Sequence, residues 1–379
     1  MEAGYLWAWW WPSPWALGML LLWDALLGEP PAVLHPVVWM GRVIQPVLHH
    51  DWGGADVHPR RAFAWGLALA VGVPLGFFLL AAASLVGLAW VVRHGIGDSS
   101  HLWASVLLVA VQAYWLKSTA ALHGLGRAAR ELAGHLAAGR LVQAQASLGA
   151  LCSRDPQNLS PTQLAQGGTE SVAENLGDAW VAPLCYALLL GVPGAVAYRA
   201  VNTLDAMVGY RGPLEYLGKA SARLDDASNY VPARLSAVLL LLGGGLLGKN
   251  AAQGWYVWWR DAGRTASPNA GHPMAAMAGL LGVCLEKPKE NPPTGHPGSE
   301  GYVLGAGLPN PQDPAQVLGE VLGQDLAQDR GEELYQGLAQ VLGEDLGQEL
   351  AQDRGQELSQ ALRQGLGEAF PQRGGGFPR

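Results

Sequence analysis

The sequence predicts an all-α protein: a polytopic integral membrane helical bundle with amphipathic cytoplasmic helices and a flexible C-terminal tail. Half of the 379 residues are hydrophobic, and 15% are charged. Residues 62–92 form a stretch of 31 positions without an acidic or basic side chain, which exceeds the roughly 20 residues that a membrane-spanning helix needs. The 16 tryptophans, against 5 phenylalanines, are typical of aromatic belts at the membrane interface.

Hydrophobic segments recur along the first three quarters of the chain. They cover residues 6–23, 62–92, 102–116, 179–201 and 235–247, with a weaker one at 275–285. The first lacks the basic region and cleavage site of a signal peptide, so we expect it to be retained at or across the membrane. Two of the segments are short for a span, which predicts tilt, local thinning or partial insertion. Between the third and fourth segments, residues 118–152 have Leu and Ala at helical spacing, which predicts one or two amphipathic helices.

The distribution of Lys and Arg predicts the orientation. The loops after the first and third segments are rich in Arg and Lys, so the positive-inside rule places them in the cytoplasm. Simple alternation would put the basic residues 202–234 outside. However, the sequence Gly191-Val192-Pro193-Gly194 interrupts the fourth segment and predicts a re-entrant hairpin that returns the chain to the same side. We therefore predict a multi-pass protein of the inner cell membrane with its site on the cytoplasmic face.

Composition changes near residue 288. Residues 1–287 are predicted to form the membrane helical domain, 288–310 its end and a linker rich in Pro, Gly and Lys, and 311–379 a flexible low-complexity tail in which LAQDRG occurs twice. The tail has 12 acidic and 5 basic residues, which accounts for the net charge of −7 and leaves the remainder neutral. No basic stripe indicates a nucleic-acid partner. The three cysteines are widely separated, which favours packed thiols.

The stretch TESVAENLGDAW, which begins at Thr169, precedes the fourth hydrophobic segment. On a helix, Glu170, Glu174 and Asp178 would form one acidic stripe with Asn175 beside it. A solvated helix face would explain these charges. The neighbouring apolar segment instead favours a cation such as Mg²⁺ as their partner.

A second polar stretch follows the fourth segment. Asn202 and Asp205 lie three residues apart and are followed by Asp225, Asp226 and Asn229. Oxygen ligands at this spacing suit a hard cation that holds phosphates, and the predicted metal ligands are Glu174, Asp205, Asp225 and Asp226. Basic side chains with planar forks for phosphate or carboxylate oxygens are available at Arg223 and Arg234. Alternatively, the arginines and Asp225 neutralise each other across a loop.

Two turn-rich clusters complete the candidate site. His35 could act as a general acid or base or donate to a phosphate, although a His before Pro is also a common structural residue. In SPNAGHP, which begins at Ser267, Asn269 and Gly271 suit a loop whose backbone N–H groups approach an anion.

These clusters together resemble the CobD/CbiB family of cobalamin biosynthesis proteins, the membrane adenosylcobinamide-phosphate synthases. The resemblance covers roughly residues 15–310 and is carried by these strings, in this order: DALLGEPPAVLHPVVWMGRVI from Asp24, SRDPQNLS from Ser153, TESVAENLGDAWVAPL from Thr169, NTLDAMVGY from Asn202, SARLDDASNYVPARL from Ser221 and SPNAGHPMAAMAGLLGV from Ser267. Departures from the family pattern at Glu29, Pro156 and Ala206 leave the charged set intact.

The resemblance implies an ATP- and Mg²⁺-dependent amide ligation. A carboxylate of adenosylcobyric acid would be joined to the amine of (R)-1-aminopropan-2-ol or its O-phosphate. The residues that this implies for metal or base roles are Glu170, Glu174, Asp205, Asp225 and Asp226; those for phosphate and carboxylate oxygens are Arg154, Arg223 and Arg234; those for substrate binding are His35, Asn175, Asn202, Asn229 and Asn269.

Two other functions share part of this pattern. One is a membrane sensor similar to the AmpE proteins, which would be a non-enzymatic relative. Such a protein would lack the charged residues of the motifs quoted above. A polyprenyl transferase of the UbiA kind also binds Mg²⁺ and phosphate through Asp-rich motifs, but it has more spans and no counterpart of ESVAEN or PAR.

Overall fold

The computed structural model describes residues 9–49, 58–94, 101–152, 156–210, 214–287, 301–308, 312–314 and 317. The chain divides into two units, Met1–Gly323 and Gln324–Arg379, and every described residue belongs to the first. The described α-helices are α1 Pro14–Leu26, α2 Pro36–His49, α3 Pro59–His94, α4 His101–Lys117, α5 Leu122–Ala137, α6 Leu141–Leu151, α7 Pro161–Leu176, α8 Ala182–Val208, α9 Glu215–Leu246, α10 Ala251–Asp261 and α11 Gly271–Leu281.

The predicted all-α membrane bundle is confirmed. Four helical runs are long and apolar enough to cross a membrane by length and composition: Pro59–Val91, Ser105–Ala137, Pro161–Val208 and Glu215–Leu246. In the first predicted segment, helix α1 begins at Pro14 after the N-cap Ser13 and ends at Leu26. This helix is shorter than a membrane span. The buried apolar cluster with the most residues is formed by α1, α2, α3, α4 and α8.

The fourth segment folds back on itself as a hairpin within α8. Gly191 has φ 75° and ψ −178° in the middle of this helix, a conformation that side-chain-bearing residues rarely adopt. The rings of Tyr186 and Tyr198 stack with their centroids 5.0 Å apart, whereas twelve residues of continuous helix would separate them by about 18 Å. The re-entrant turn predicted from the Gly-Val-Pro-Gly sequence is therefore present.

Helix α9 differs from the sequence-based expectation. Residues 202–234 were predicted to be a polar loop, with a separate apolar helix at 235–247, but a single helix covers Glu215–Leu246 despite the internal Pro232. Proline cannot donate to the carbonyl of Ser228 one turn earlier. The hydroxyl of Tyr186 donates to that carbonyl at 3.0 Å instead, so the hairpin satisfies the backbone group that the proline leaves open.

The start of α9 packs very closely against its neighbours. A Cβ added at Gly218 would lie 1.8 Å from the carbonyl oxygen of Val208, and one added at Gly66 of α3 would lie 2.0 Å from that of Leu217. Only glycine allows backbones to approach so closely. These contacts hold the beginning of α9 against α3 and the end of α8.

The remaining helices pack beside the hairpin. The predicted amphipathic region forms two helices, α5 and α6, whose buried residues pack against the first half of α7. Helices α10 and α11 pack against the second half of α9. A small antiparallel sheet, which the sequence did not predict, pairs β1 Leu285–Lys287 with β2 Tyr302–Leu304. Of the predicted linker and domain end at 288–310, the structure describes residues 301–308, which include β2, and of the predicted tail at 311–379 it describes residues 312–314 and 317.

Candidate active site

A polar cleft lies where the end of α7, the base of the hairpin, α9 and the loop before α11 meet. Between α7 and α8, residues Gly177–Val181 form a π-helical turn, a feature that often marks functional sites. The cleft holds a cavity of about 30 Å³ and is lined by Glu174, Gly177, Asp178, Asp225, Asn229, Ala233, Ser267, Asn269, Ala270 and Pro273. It therefore draws side chains from both polar stretches of the sequence and from the third motif.

Amide side chains join the two arms of the hairpin to α9. The Nδ2 group of Asn202 lies 3.3 Å from Oδ2 of Asp178 and 3.5 Å from Oδ1 of Asp225. Asn202 and Asp178 would be about 36 Å apart along a continuous helix. The turn at Gly191 is thus what brings TESVAENLGDAW and NTLDAMVGY into contact.

Asp225 is held from two directions. Its Oδ2 atom accepts a hydrogen bond from Nδ2 of Asn229 at 3.0 Å, while Asn202 faces Oδ1. The Oδ1 atom of Asn229 in turn accepts from the hydroxyl of Tyr198 at 2.7 Å. Because each amide is fixed by a second partner, the Asp225 carboxylate is held in one orientation toward the cleft.

The carboxylates form a concentrated negative region. Asp205 interacts electrostatically with Asp225, Asp226 and Glu174, and Asp178 interacts with Glu174 and Asp225. Like charges that lie close enough to interact repel one another unless a cation offsets them. The cleft therefore favours a positively charged occupant.

Arg199 is a charged residue of this region that the sequence-based site did not include. Its NH1 group donates to Oδ1 of Asn202 at 3.2 Å, and its charge acts on Asp178 and Asp225. The signal was present in the sequence, because Arg199 is the one charged residue within the apolar segment 179–201, and ionisable residues in such segments are usually functional.

The loop before α11 contributes Asn269. Its Nδ2 group donates to the backbone carbonyl of Asp226 at 2.7 Å. The N–H groups of Asn269 and Ala270 both point to the hydroxyl oxygen of Ser267, at 3.2 and 3.3 Å. These two N–H groups are thus hydrogen-bonded within the loop. They are not available to bind an anion, contrary to the expectation from the sequence.

Several predicted residues lie away from the cleft lining. Glu170 is buried one turn before Glu174, and the π-helical turn breaks the expected regular stripe. Asn175 turns back to Ser171 on its own helix, with Nδ2 2.9 Å from the carbonyl oxygen. Arg223 is exposed on α9, and Arg154 lies outside the described residues.

Arg234 sits beside the cleft and not within its lining. Its guanidinium stacks on the ring of Tyr230, with 3.6 Å from Cζ to the ring centroid, and donates to the Tyr230 carbonyl. Burial and the charge of Arg234 lower the pKa of His272 on α11. The Nδ1 atom of His272 accepts from the indole N–H of Trp258 at 2.9 Å, which is consistent with a neutral imidazole.

His35 belongs to a separate ion network, in which Lys117 and Asp24 are buried and His35 and Glu29 are partly exposed. Its Nε2 atom lies 3.3 Å from Oε2 of Glu29, and the Nζ atom of Lys117 lies 2.6 Å from Oε1 of Glu29 and 3.1 Å from Oδ1 of Asp24. Burial raises the pKa of Glu29, but the hydrogen bond with His35 and the charge of Lys117 bring it below its ordinary value. The backbone connects this network to the cleft, because Ala121 N–H donates to the carbonyl of Ala179 in the π-helical turn.

The donor set fits a hard cation that is bound together with phosphates. Carboxylate and amide oxygens are the ligands that Mg²⁺ prefers, with one or two carboxylates completing its shell beside substrate phosphates. Within the described ranges, no group of three or more His, Cys, Asp or Glu residues converges on one metal position. Asp205, Asp225 and Asp226 are thus suited to holding a metal ion together with its nucleotide. They do not form a closed cage of protein ligands around it.

The chain is similar to proteins of one family over most of its length. A family model described as CobD/Cbib protein matches residues 17–300. A cobalamin biosynthesis protein CobD from Dehalococcoides mccartyi is 40% identical over 269 residues, which cover 71% of this chain and 82% of the relative. A probable cobalamin biosynthesis protein CobD from Methanothermobacter thermautotrophicus is 38% identical over 266 residues, covering 70% and 81%.

A third relative carries the other family name. A cobalamin biosynthesis protein CbiB from Salmonella paratyphi B is 35% identical over 275 residues, which cover 72% of this chain and 82% of that protein. No solved structure matches the chain. The extent of the family match and the identities shared with these relatives show that this membrane protein belongs to the CobD/CbiB family of cobalamin biosynthesis proteins.

Proposed function

We propose that the protein is an adenosylcobinamide-phosphate synthase, which ligates adenosylcobyric acid to (R)-1-aminopropan-2-ol or its O-phosphate with ATP and Mg²⁺. The observation that carries the proposal is the meeting of Asp178, Asn202 and Asp225 in one cleft, in a chain of this family. The cleft faces the cytoplasm of the inner membrane in this proposal, in agreement with the basic loops predicted on that side.

The reaction has two steps that the site suits. A corrinoid carboxylate attacks the γ-phosphorus of ATP, which releases ADP and leaves an acyl phosphate. The amine nitrogen then attacks the acyl carbon, the C–O bond to phosphate breaks, and a carboxylate of the cleft takes the amine proton. Bound Mg²⁺ would neutralise phosphate charge during the first step.

The chain's own residues have distinct tasks in this scheme. Glu174, Asp205, Asp225 and Asp226 are the candidates for holding the metal or accepting the proton, with Glu170 behind them. Asn202 and Asn229 orient Asp225 through the hydrogen bonds described above. The arginines at 154, 223 and 234 and the amides at 175 and 269 would bind phosphate, carboxylate or amine groups, and His35 supports the site through its ion network.

The size of the cleft limits what enters it. A cavity of about 30 Å³ is far smaller than the usual ligand pocket, which spans about 300–1,000 Å³. A single group about the size of a water molecule, such as an ammonium, fits such a space, whereas a nucleotide or a corrin macrocycle does not. We therefore expect the corrinoid ring to rest at the mouth of the cleft.

The proposal is tested by assaying membranes that contain the protein with adenosylcobyric acid, ATP, Mg²⁺ and either amine, followed by mass analysis of the corrinoids. We expect the amide product from the wild type. Asp225→Asn and Glu174→Gln should each lower turnover at least about 100-fold, the usual scale for loss of an acid–base group.

Glu215→Gln is the matched control, because Glu215 is an exposed acid at the start of α9 and should leave turnover within about twofold. A wild type that forms no amide with either amine would contradict the ligase proposal and would favour a non-enzymatic role. Normal turnover of the Asp225→Asn protein would remove that residue from the site.

A further inference from the structure

The loop before α11 uses most of its N–H groups internally, whereas its Asn269 side chain lines the cleft. In addition to the two N–H groups that point to Ser267, the N–H of His272 donates to the backbone carbonyl of Asn269 at 3.0 Å. The next residue, Pro273, has no N–H group to offer. Phosphate oxygens would thus find few open donors in this loop.

The Asn269 amide has a defined orientation. Its Nδ2 group must be the atom that faces the Asp226 carbonyl at 2.7 Å, because only the NH₂ side of an amide donates. Oδ1 is then the atom without a protein donor among the described residues, and the side chain is 6% exposed. A buried amide oxygen without a partner, on a residue that lines a cleft, calls for a hydrogen-bond donor on the ligand.

The neighbours of this oxygen are also acceptors. Glu174, Asp178 and Asp225 line the same cleft, and their charges interact. A protonated primary amine carries a positive charge and three N–H donors. It can therefore satisfy the Asn269 oxygen and two carboxylates at once, which a phosphate group cannot do.

We propose that the Oδ1 atom of Asn269, together with the carboxylates of Glu174 and Asp225, forms the subsite for the ammonium group of the amine substrate. This assignment rests on the proposed ligase function and divides the carboxylates between two tasks. Asp205 and Asp226, which do not line this cleft, remain for the magnesium nucleotide, while Glu174 or Asp225 takes the amine proton.

Binding without turnover tests the subsite directly. Detergent-purified protein is heated with 1-aminopropan-2-ol, with propane-1,2-diol or with Mg²⁺, in the absence of ATP and corrinoid. We expect the amino alcohol to raise the unfolding temperature and the diol, which lacks the amine, to leave it unchanged. Asn269→Leu, which removes the oxygen at similar size, should abolish the shift.

Kinetics provide the second readout. Asn269→Leu should raise the KM for the amine at least about tenfold and leave the KM values for ATP and adenosylcobyric acid within about twofold. Asn250→Ser is the control, because Asn250 caps α10 through its side chain and a serine preserves the cap. Its amine KM and its shift with the amino alcohol should match those of the wild type.

Three results would overturn the assignment: no amine-specific shift in the wild type, an unchanged amine KM in Asn269→Leu, or a shift with Mg²⁺ alone that Asn269→Leu removes. The heating experiment needs no catalysis, and its comparison of the amino alcohol with the diol needs only the wild type. It therefore separates failure of this subsite from failure of the ligase proposal, which would appear as absence of amide product from the wild type.

Discussion

Lys117 carries a charge that is fully enclosed by protein. Its side chain is 0% exposed, and its Nζ atom contacts Glu29, Asp24 and the carbonyl of Ala120. Such a charge is tolerated because two carboxylates and a carbonyl replace the water that it lost. The network links α1 to the end of α4, directly before the segment that contacts the π-helical turn.

Replacing this lysine should therefore destabilise the fold. We expect Lys117→Met to lower the free energy of unfolding by about 3–5 kcal/mol, since the buried Asp24 carboxylate loses its partner. Thermal unfolding in detergent is the measurement. Lys219→Met, at an exposed lysine of α9, should change the stability by no more than about 0.5 kcal/mol; equal unfolding temperatures for both variants would show that the network is not stabilising.

At the level of residues, the sequence predicts the part of the site that stands out by local spacing. Glu174, Asp225, Asn229 and Asn269, which were all predicted site residues, line the cleft. Arg199 was missed because it lies outside the polar motifs, although its position as a single charge in an apolar segment was itself a signal. The network of Lys117 was missed for a different reason: its partners are about 90 residues away in the sequence, so no local pattern indicates the pairing.

Gly191 is the residue on which the hairpin element depends. Its φ of 75° is strained for any residue with a side chain, and an added Cβ would lie 2.6 Å from the backbone carbonyl oxygen of Trp10. Backbone atoms cannot rotate aside as a flexible side chain can. The tip of the hairpin is thus fixed both by its own dihedral angles and by the N-terminal segment.

Gly191→Ala should accordingly lower both the unfolding temperature in detergent and the ligase activity. The strained conformation alone costs about 1–3 kcal/mol, and the contact with Trp10 adds to this. Gly87→Ala on α3 is the matched control, because a Cβ there meets nothing within 4 Å and helix propensity favours alanine by about 1 kcal/mol. A Gly191→Ala protein as stable as the control would mean that the turn does not require glycine.

The sequence predicted helices well where the residues are uniformly apolar. It predicted them poorly where polar and apolar residues are mixed. The apolar run at 62–92 is α3, and the Gly-Val-Pro-Gly break is the hairpin turn. The helical character of 215–234 was missed because polar residues and Pro232 are typical of loops. It depends on a tertiary contact, the Tyr186 hydroxyl on the Ser228 carbonyl, which no local propensity encodes.

On the scale of the whole molecule, the hairpin resolves a conflict in the charge distribution. Basic residues follow the third hydrophobic segment and also follow the fourth, although one crossing would place these two regions on opposite sides. Because α8 folds back at Gly191, Asp178 before it and Asn202 after it are in contact. We therefore expect both regions on the same side of the membrane, in agreement with the positive-inside rule.

The measurement that tests this account most directly is the sidedness of Glu174 and Asp226. Single cysteines at these positions, in a protein whose three native cysteines are replaced, are labelled with a membrane-impermeant maleimide in inside-out and right-side-out vesicles. Trp103→Cys, near the start of α4, provides a marker for the opposite side. The account predicts that Glu174→Cys and Asp226→Cys react in the same vesicles and that Trp103→Cys reacts in the others. Labelling of positions 174 and 226 from opposite sides of the membrane would contradict it.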